Sequence, residues 1–215
     1  GEAAFDNSGY SVVISSDGTT IAIGAPSNDG AGSNAGQVRV YKNMAGTWTK
    51  IGADIDGETA GANSGYSVAI SSDGSTVAIG ASPNLSLFGN FAGQVRVYKN
   101  IAGTWTQIGA DIDGEANDDF SGYSVAISSD GTTVAIGAPY NSGGGSYAGQ
   151  VRVYQNMAGT WTKIGADIDG EAPSDYSGQS VAISSDCITV AIGAPYNDGG
   201  GNNAGQVRVY KIGGL

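Results

Sequence analysis

The segment Ser124–Gly137, SVAISSDGTTVAIG, decides the fold of this 215-residue chain, because near-copies of it occur four times. The other three copies are centred on Asp17, Asp73 and Asp186. Within the segment, Val and Ile alternate with smaller residues on both sides of an Asp-Gly pair. This pattern predicts two short β-strands joined by a tight hairpin, and Asp-Gly favours a type I′ turn.

A third and a fourth strand are predicted after each hairpin. In the third repeat they are Gln150–Asn156 (QVRVYQN) and Thr160–Ile168 (TWTKIGADI), which alternate in the same way. The arginine of the third strand recurs at intervals of 57, 56 and 56 residues, at Arg39, Arg96, Arg152 and Arg208. A fixed period of this length indicates a modular array in which each unit buries apolar surface against its neighbours.

The two faces of each predicted hairpin differ in bulk, because Val and Ile point to one face and Ala to the other. We therefore expect sheets packed in series, with a bulky face against a small one. A series that closes on itself is a β-propeller, and an open β-solenoid is the alternative. We predict an all-β, four-bladed β-propeller with repeats at approximately 1–56, 57–113, 114–169 and 170–215.

The last repeat differs from the others at its end. The tryptophan strand occurs three times, at Trp48, Trp105 and Trp161, and has no fourth copy. We predict that the last blade lacks its outer strand and presents an assembly edge at Val207, Arg208, Val209 and Tyr210. Such an edge can pair with another molecule, which gives a head-to-tail ring or filament. The alternatives are a blade that stays three-stranded and a sequence cut from a longer array.

The repeat resembles the FG-GAP repeat of integrin α-chain propellers and their bacterial and algal relatives. The resemblance rests on the run from SGYSVAIS through GAP to GQVRVY and extends over nearly the whole chain. GAP occurs at residues 24–26, 137–139 and 193–195 and becomes GAS at 80–82, while Ser replaces the Phe of FG. The resemblance implies an extracellular propeller. The integrin-type Ca²⁺ loop is not expected, because the hairpin loops lack its further carboxylates.

The composition excludes several classes of function. The net charge of −11 argues against nucleic acid and anionic lipid as partners, and no apolar stretch is long enough for membrane insertion. The absence of histidine excludes imidazole catalysis and the usual zinc sites. The single cysteine, Cys187, replaces a turn glycine, so we expect a different turn there with an exposed thiol.

Paired aspartates recur near the end of three repeats, in the order Asp54 and Asp56, Asp111 and Asp113, Asp167 and Asp169. One interpretation is a Ca²⁺ site between adjacent blades. We favour a turn in which Asp bonds its own backbone, so no cofactor is required and Ca²⁺ is the one candidate. A glycosidase is disfavoured because nothing in the surroundings distinguishes the two carboxylates of a pair.

The loops that follow GAP vary between repeats and carry the candidate ligand-binding residues, which are Tyr140, Tyr147, Tyr196, Asn141 and Asn197. Their rings suit sugar stacking, whereas the strand tryptophans favour the core between blades. The strand arginines are expected to pair with carboxylates of the next blade. Asn84 begins an N-glycosylation sequon, in a loop that is alternatively an apolar contact patch.

These features together predict a non-enzymatic extracellular protein with a structural or adhesive role. Its expected partners are copies of itself, or the matrix and its glycans. The alternative function is carbohydrate binding by the variable loops.

Overall fold

A computed structural model describes residues 1–82 and 92–214, which form four antiparallel sheets in chain order. The first sheet contains β1 (Ser11–Ile14), β2 (Thr20–Ala25), β3 (Gln37–Met44), β4 (Thr47–Lys50) and β5 (Ile55–Asp56). The second contains β6 (Ser64–Ile70), β7 (Thr76–Ala81), β8 (Gln94–Ile101), β9 (Thr104–Gln107) and β10 (Ile112–Asp113).

The third sheet contains β11 (Ser124–Ile127), β12 (Thr133–Ala138), β13 (Gln150–Met157), β14 (Thr160–Lys163) and β15 (Ile168–Asp169). The fourth contains β16 (Ser180–Ile183), β17 (Thr189–Ala194) and β18 (Gln206–Lys211), followed by a 3-10 turn at Ile212–Gly214. The fourth sheet has three strands among the described residues, as the sequence predicted. No helix in this part of the chain is long and apolar enough to cross a bilayer.

The hairpin turns differ from the predicted type I′ geometry. Within the hairpin loop of the third repeat, only Gly131 has a positive φ, and its N–H donates to the Ser128 carbonyl. The Asp130 carboxylate accepts hydrogen bonds from the Ser128 hydroxyl at 2.6 Å and from the Thr132 N–H at 3.0 Å. These side-chain bonds stabilise a wider loop, in which Asp does not need the left-handed conformation.

Cys187 keeps the same turn as the glycines, contrary to our expectation. Its φ is 61°, and its N–H donates to the Ser184 carbonyl at 3.0 Å. The thiol is half-buried rather than exposed, because its Sγ lies 3.6 Å from a carboxylate oxygen of Asp130 in the preceding repeat.

The predicted fourth strand is broken in two. In the third repeat β14 pairs with one end of β13 and β15 with the other, and the chain leaves the sheet between them. Gly165 has a positive φ of 76° in this break. The equivalent break in the first repeat receives the next tryptophan, since Trp105 Nε1 donates to the Ile51 carbonyl at 2.8 Å. The break is therefore a contact point between repeats.

Adjacent sheets pack with the small-residue face of one against the bulky face of the next, as predicted. The first interface joins one face of the first sheet to the Val and Ile face of the second, through Ala22, Val38, Val40, Ile70, Val77 and Ile79. Equivalent clusters join the second sheet to the third and the third to the fourth. The core thus consists of three repeated interfaces.

Two glycines in each repeat allow the sheets to approach at backbone distance. A Cβ added to Gly137 would lie 2.0 Å from the carbonyl oxygen of Gly178 in the next sheet. At the same point the Ser124 hydroxyl donates to the Gly178 carbonyl at 2.8 Å. The same arrangement joins Gly24 and Ser11 to Gly65, and Gly80 and Ser67 to Gly122. The Gly of GAP and the Gly of Ser-Gly are therefore both required for packing.

The outer faces of the first and fourth sheets are uncovered. Val207 and Val209 of β18 are 69% and 64% exposed, whereas the equivalent valines of β13 are fully buried. At the other end, Val12 and Ile14 of β1 are exposed as well. No strand of the first sheet makes an extensive contact with one of the fourth in the described part of the chain. The fold is therefore a propeller-like series with two open ends.

Because the outer face of the fourth sheet is uncovered, the same substitution should cost less stability there than at the equivalent buried position. Val153→Ala should lower the free energy of unfolding by about 2 kcal/mol, because it removes buried methyl groups and leaves a cavity. Val209→Ala, at the same repeat position, should change it by less than about 0.5 kcal/mol. Urea unfolding of both variants in dilute solution measures this difference. Equal losses would show that the face of β18 is covered.

Candidate functional site

One end of the sheets carries a row of aromatic rings that sequence reasoning missed. Tyr10, Tyr66 and Tyr123 follow Ser-Gly in the first three repeats, and each N–H donates to the carbonyl three residues earlier. The ring centroids lie 5.0 Å apart between Tyr10 and Tyr66 and 5.2 Å apart between Tyr66 and Tyr123. The signal in the sequence was the recurrence of Tyr after Ser-Gly, which becomes Gln179 in the fourth repeat.

The loop tyrosines predicted as ligand residues extend this row. Tyr140 lies 6.4 Å from Tyr123 and 5.2 Å from Tyr176, between ring centroids. Tyr176 in turn contacts Tyr196 at 5.3 Å and stacks on Tyr147 at 5.9 Å. The structure therefore brings all three predicted loop tyrosines into one array with the missed ones.

The array borders a cleft of about 320 Å³, which we call the tyrosine cleft. Its lining consists of Tyr10, Tyr66, Tyr123, Tyr140, Phe120, Pro26, Asn7, Ser27, Asn63 and Ser82. A second cleft of about 260 Å³ adjoins it and shares two of these tyrosines; it is lined by Tyr123, Pro139, Tyr140, Tyr176, Gln179 and Tyr196. Neither lining includes a charged side chain. The first volume is at the lower end of the range for small-molecule sites, about 300–1,000 Å³.

The hydroxyls of Tyr66 and Tyr140 stay protonated at neutral pH. Burial raises the pKa of Tyr66 above its ordinary value, and hydrogen bonding to the hydroxyls of Tyr10 and Tyr123 raises it further. Burial also raises the pKa of Tyr140. The cleft therefore offers ring faces and neutral hydroxyl groups to a ligand.

Ser82 is the most deeply placed polar residue of the cleft. It stands where the other three repeats have the proline of GAP, and it is 2% exposed. Its hydroxyl has no hydrogen-bond partner among the described residues. Buried hydroxyl groups usually have a partner in folded proteins.

The two predicted ligand asparagines are buried and hold the loops together. The Asn141 side-chain N–H donates to Asp119 at 2.8 Å, and its carbonyl oxygen accepts from the Gly143 N–H. Asn197 makes the equivalent bonds, with Asp175 as its acceptor at 2.9 Å. Their amides are therefore engaged within the protein instead of facing the cleft.

The paired aspartates are engaged within their own repeats. Lys50 donates to Asp54 and Lys163 to Asp167, both at 2.7 Å, and Gln107 donates to Asp111 at 2.6 Å. Asp56 and Asp169 accept from Gln37 and Gln150. Burial raises the pKa of Asp113, and the neighbouring Asp111 adds to this effect. No group of three or more His, Cys, Asp or Glu side chains that could hold a metal ion occurs in residues 1–82 and 92–214.

The strand arginines pair with carboxylates of the segment that precedes their own sheet, rather than with those of the next blade. The N–O distances are 3.3 to 3.8 Å, in the pairs Arg39–Glu2, Arg96–Glu58, Arg152–Glu115 and Arg208–Glu171. Arg208 also lies over the Tyr210 ring, 5.6 Å from its centroid. These two residues of the predicted assembly edge thus have partners within the chain. The exposed part of that edge is Val207 and Val209.

The tryptophans are not equivalent. Trp105 and Trp161 donate to carbonyls of the preceding repeat, those of Ile51 and Ile108. Trp48 has no preceding repeat in this chain and is 42% exposed. It therefore belongs to the same open face as Val12 and Ile14. Asn84 and its sequon lie outside the described residues.

Sheets packed face to face in chain order, at a fixed repeat, define a β-propeller type of repeat protein. The family model of the FG-GAP repeat matches residues 106–154 and 162–210. These two segments are FG-GAP repeats, which confirms the family resemblance seen in the sequence. No curated protein sequence matches it.

Solved structures share the fold at low sequence identity. A putative 6-phosphogluconolactonase from Bacteroides uniformis is 14% identical, with a TM-score of 0.60 over 94% of this chain and 49% of that one. Kuenenia stuttgartiensis hydrazine synthase is 15% identical, with a TM-score of 0.59 over 94% and 52%. U3-55K is 12% identical, with a TM-score of 0.56 over 98% and 50%. The chain thus spans about half the length of each structure, and the likeness concerns the fold alone.

The hairpin aspartates predict a loss of stability in acid. Hydrogen bonds from Ser15 and Thr19 lower the pKa of Asp17 to about 2. Burial alone would raise the pKa of Asp130, but bonds from Ser128 and Thr132 outweigh it and lower the pKa to about 2. Their stabilisation is complete above the ordinary value of 3.8 and is lost as the pH falls towards 2.

Urea unfolding at pH 5, 4, 3 and 2.5 measures this effect. We expect the decline to be smaller in Asp130→Asn, which has no carboxylate to protonate. In Ser128→Ala, which loses a donor to Asp130, the decline should also be smaller, because the folded-state pKa of Asp130 moves towards its unfolded value. An Asp130→Asn profile parallel to that of the unmodified chain would contradict the assignment.

Proposed function

We propose that this chain is a non-enzymatic, extracellular structural or adhesive module that associates head-to-tail with copies of itself. The observation that supports this proposal is the repeated interface. The chain builds the same sheet-to-sheet contact three times, and its first and last sheets carry the two complementary halves of that contact uncovered. A second copy would supply the missing half at each end.

The exposed residues match those buried at the internal interfaces. Val207 and Val209 occupy the positions of the buried Val151 and Val153. On the opposite end, the exposed Trp48 is equivalent to tryptophans that reach a carbonyl of the neighbouring repeat. A copy placed by the internal geometry would therefore bring Val207 and Val209 against β1 and β2.

The energetics favour association that depends on concentration. Burial of one large apolar side chain contributes about 1.5–3 kcal/mol. Four such residues, Val12, Ile14, Val207 and Val209, would contribute about 6–12 kcal/mol. Association costs about 4–15 kcal/mol in lost freedom of the partners. We therefore expect a reversible assembly at elevated protein concentration.

We assign one blade to each repeat and expect the series to be completed by a partner rather than to close on itself. The chain spans about half of the propeller-type structures that it resembles, so two copies correspond to their length. A head-to-tail contact closes into a ring if the rotation per blade allows it and otherwise continues as a filament. Both forms suit a structural or adhesive role.

The non-enzymatic part of the proposal rests on the chemistry of the side chains. The chain contains no histidine, and the repeated aspartates are bonded within their own repeats. The extracellular location is proposed from the FG-GAP family and its integrin-type relatives. The acid excess favours neither nucleic acid nor anionic membranes as partners.

Carbohydrate binding is the second candidate function. The tyrosine array supports it, because aromatic ring faces and neutral hydroxyl groups are suited to sugar rings. The two functions are compatible, since the array lies at one end of the sheets and the assembly uses their outer faces.

Sedimentation velocity over a range of protein concentrations tests the proposed assembly. The unmodified chain should shift from monomer to larger species as its concentration rises. Val207→Glu should stay monomeric, because it places a charge in the contact. Met157→Glu is the matched control, since it adds the same charge at an exposed apolar residue at the β13–β14 turn. It should assemble like the unmodified chain. An unmodified chain that stays monomeric at millimolar concentration would contradict the proposal.

A further inference from the structure

We infer that the tyrosine cleft binds a sugar ring of an uncharged oligosaccharide, with the Ser82 hydroxyl as its deepest hydrogen-bonding group. The inference rests on the second proposed function, carbohydrate binding, and assigns to it a site, a ligand class and a specificity-determining residue. It does not depend on the head-to-tail assembly.

Ser82 carries the first step of the argument. Its hydroxyl is buried, lines the cleft and has no partner among the described residues. The other repeats have Pro26, Pro139 and Pro195 at this position, so the framework needs neither a hydroxyl nor an N–H there. An unsatisfied buried hydroxyl is unfavourable unless something else provides its partner. A ligand hydroxyl reaching the floor of the cleft would do so.

The charge of the lining indicates the ligand class. The chain has a net charge of −11, yet none of the described residues that line the cleft is charged. An anionic ligand would find no counter-charge there, and a cationic ligand would find no carboxylate. Hydroxyl groups of Ser27 and Ser82 and the amides of Asn7 and Asn63 are instead the donors and acceptors that a polyhydroxylated ligand uses.

The aromatic rings supply the other half of sugar recognition. The Tyr10 ring is more than half exposed, while the Tyr66 and Tyr123 rings are half-buried and pack on each other with centroids 5.2 Å apart. These rings therefore lie in fixed positions with accessible surface. The apolar CH face of a pyranose can pack on such a ring while its hydroxyls reach the polar groups. The low side-chain entropy of tyrosine further favours binding.

The neighbouring cleft extends the site to more than one sugar ring. It shares Tyr123 and Tyr140 with the tyrosine cleft, so the two clefts lie side by side along one aromatic row. Linked rings of a short oligosaccharide could occupy both. We therefore expect disaccharides and longer chains to bind more tightly than the corresponding monosaccharide.

The test is an array of neutral glucose, galactose, mannose and N-acetylglucosamine oligosaccharides, followed by titration calorimetry with the tightest binder. Ser82→Pro is the decisive variant, because it removes the hydroxyl and restores the residue of the other repeats. It should weaken binding about tenfold, as expected for one hydrogen bond, with an unchanged melting temperature. Tyr66→Phe should weaken binding to a similar extent. Tyr41→Phe, on β3 and outside both linings and the tyrosine array, is the control and should bind normally.

The outcomes separate the site from the function. Binding that is weakened by Ser82→Pro and by Tyr66→Phe supports the inference. Binding that neither variant affects overturns the site but leaves carbohydrate binding in place. An array without any bound glycan contradicts both the site and the second proposed function. Selective binding of sulfated or sialylated glycans, or of a proline-rich peptide of the kind that docks in aromatic grooves, overturns the ligand class.

Discussion

The backbone contact between paired glycines of adjacent sheets is the constraint on which the rest of the structure depends. The Gly of GAP touches the carbonyl of the Gly in the next Ser-Gly, at a distance that leaves no room for a Cβ. A serine hydroxyl bonds to the same carbonyl. This contact fixes the separation of the sheets, so that Val and Ile of one sheet fill the space beside Ala of the next.

The same contact connects the fold to the candidate site. The approached glycines Gly65 and Gly122 belong to the turns that carry Tyr66 and Tyr123. Because the glycine contact brings these turns close together, successive tyrosines meet at about 5 Å and form a row. The repetition that builds the core therefore also builds the cleft. The one repeat in which GAP becomes GAS adds the buried hydroxyl of Ser82.

The strands could be predicted from the sequence because half-buried strands alternate with a period of two residues. The order of the sheets could be predicted because the same unit recurs about every 56 residues. The turn type could not, because Asp130 bonds through its side chain to Ser128 and Thr132, which favours a wider loop. The break in the fourth strand depends on a tryptophan of the next repeat. That contact lies between repeats and has no local signal.

The candidate site was only partly predictable. The tyrosines of the variable loops stood out because they differ between repeats, whereas those after Ser-Gly were hidden by their regularity. Asn141 and Asn197 look like ligand residues in the sequence, but the buried acceptors that engage them, Asp119 and Asp175, lie 22 residues earlier. The open faces became apparent only when the burial of equivalent valines was compared, because the same residue types occur at these positions in every repeat.

The most direct measurement of the glycine constraint compares Gly137→Ala with Gly193→Ala by urea unfolding. In both, the new methyl group meets the hydroxyl of a serine on the neighbouring strand, but only at Gly137 does it also meet the backbone of another sheet. We expect Gly137→Ala to lose at least about 2 kcal/mol more stability than Gly193→Ala, because a backbone carbonyl cannot move aside as a serine side chain can. Equal losses in the two variants would contradict the account.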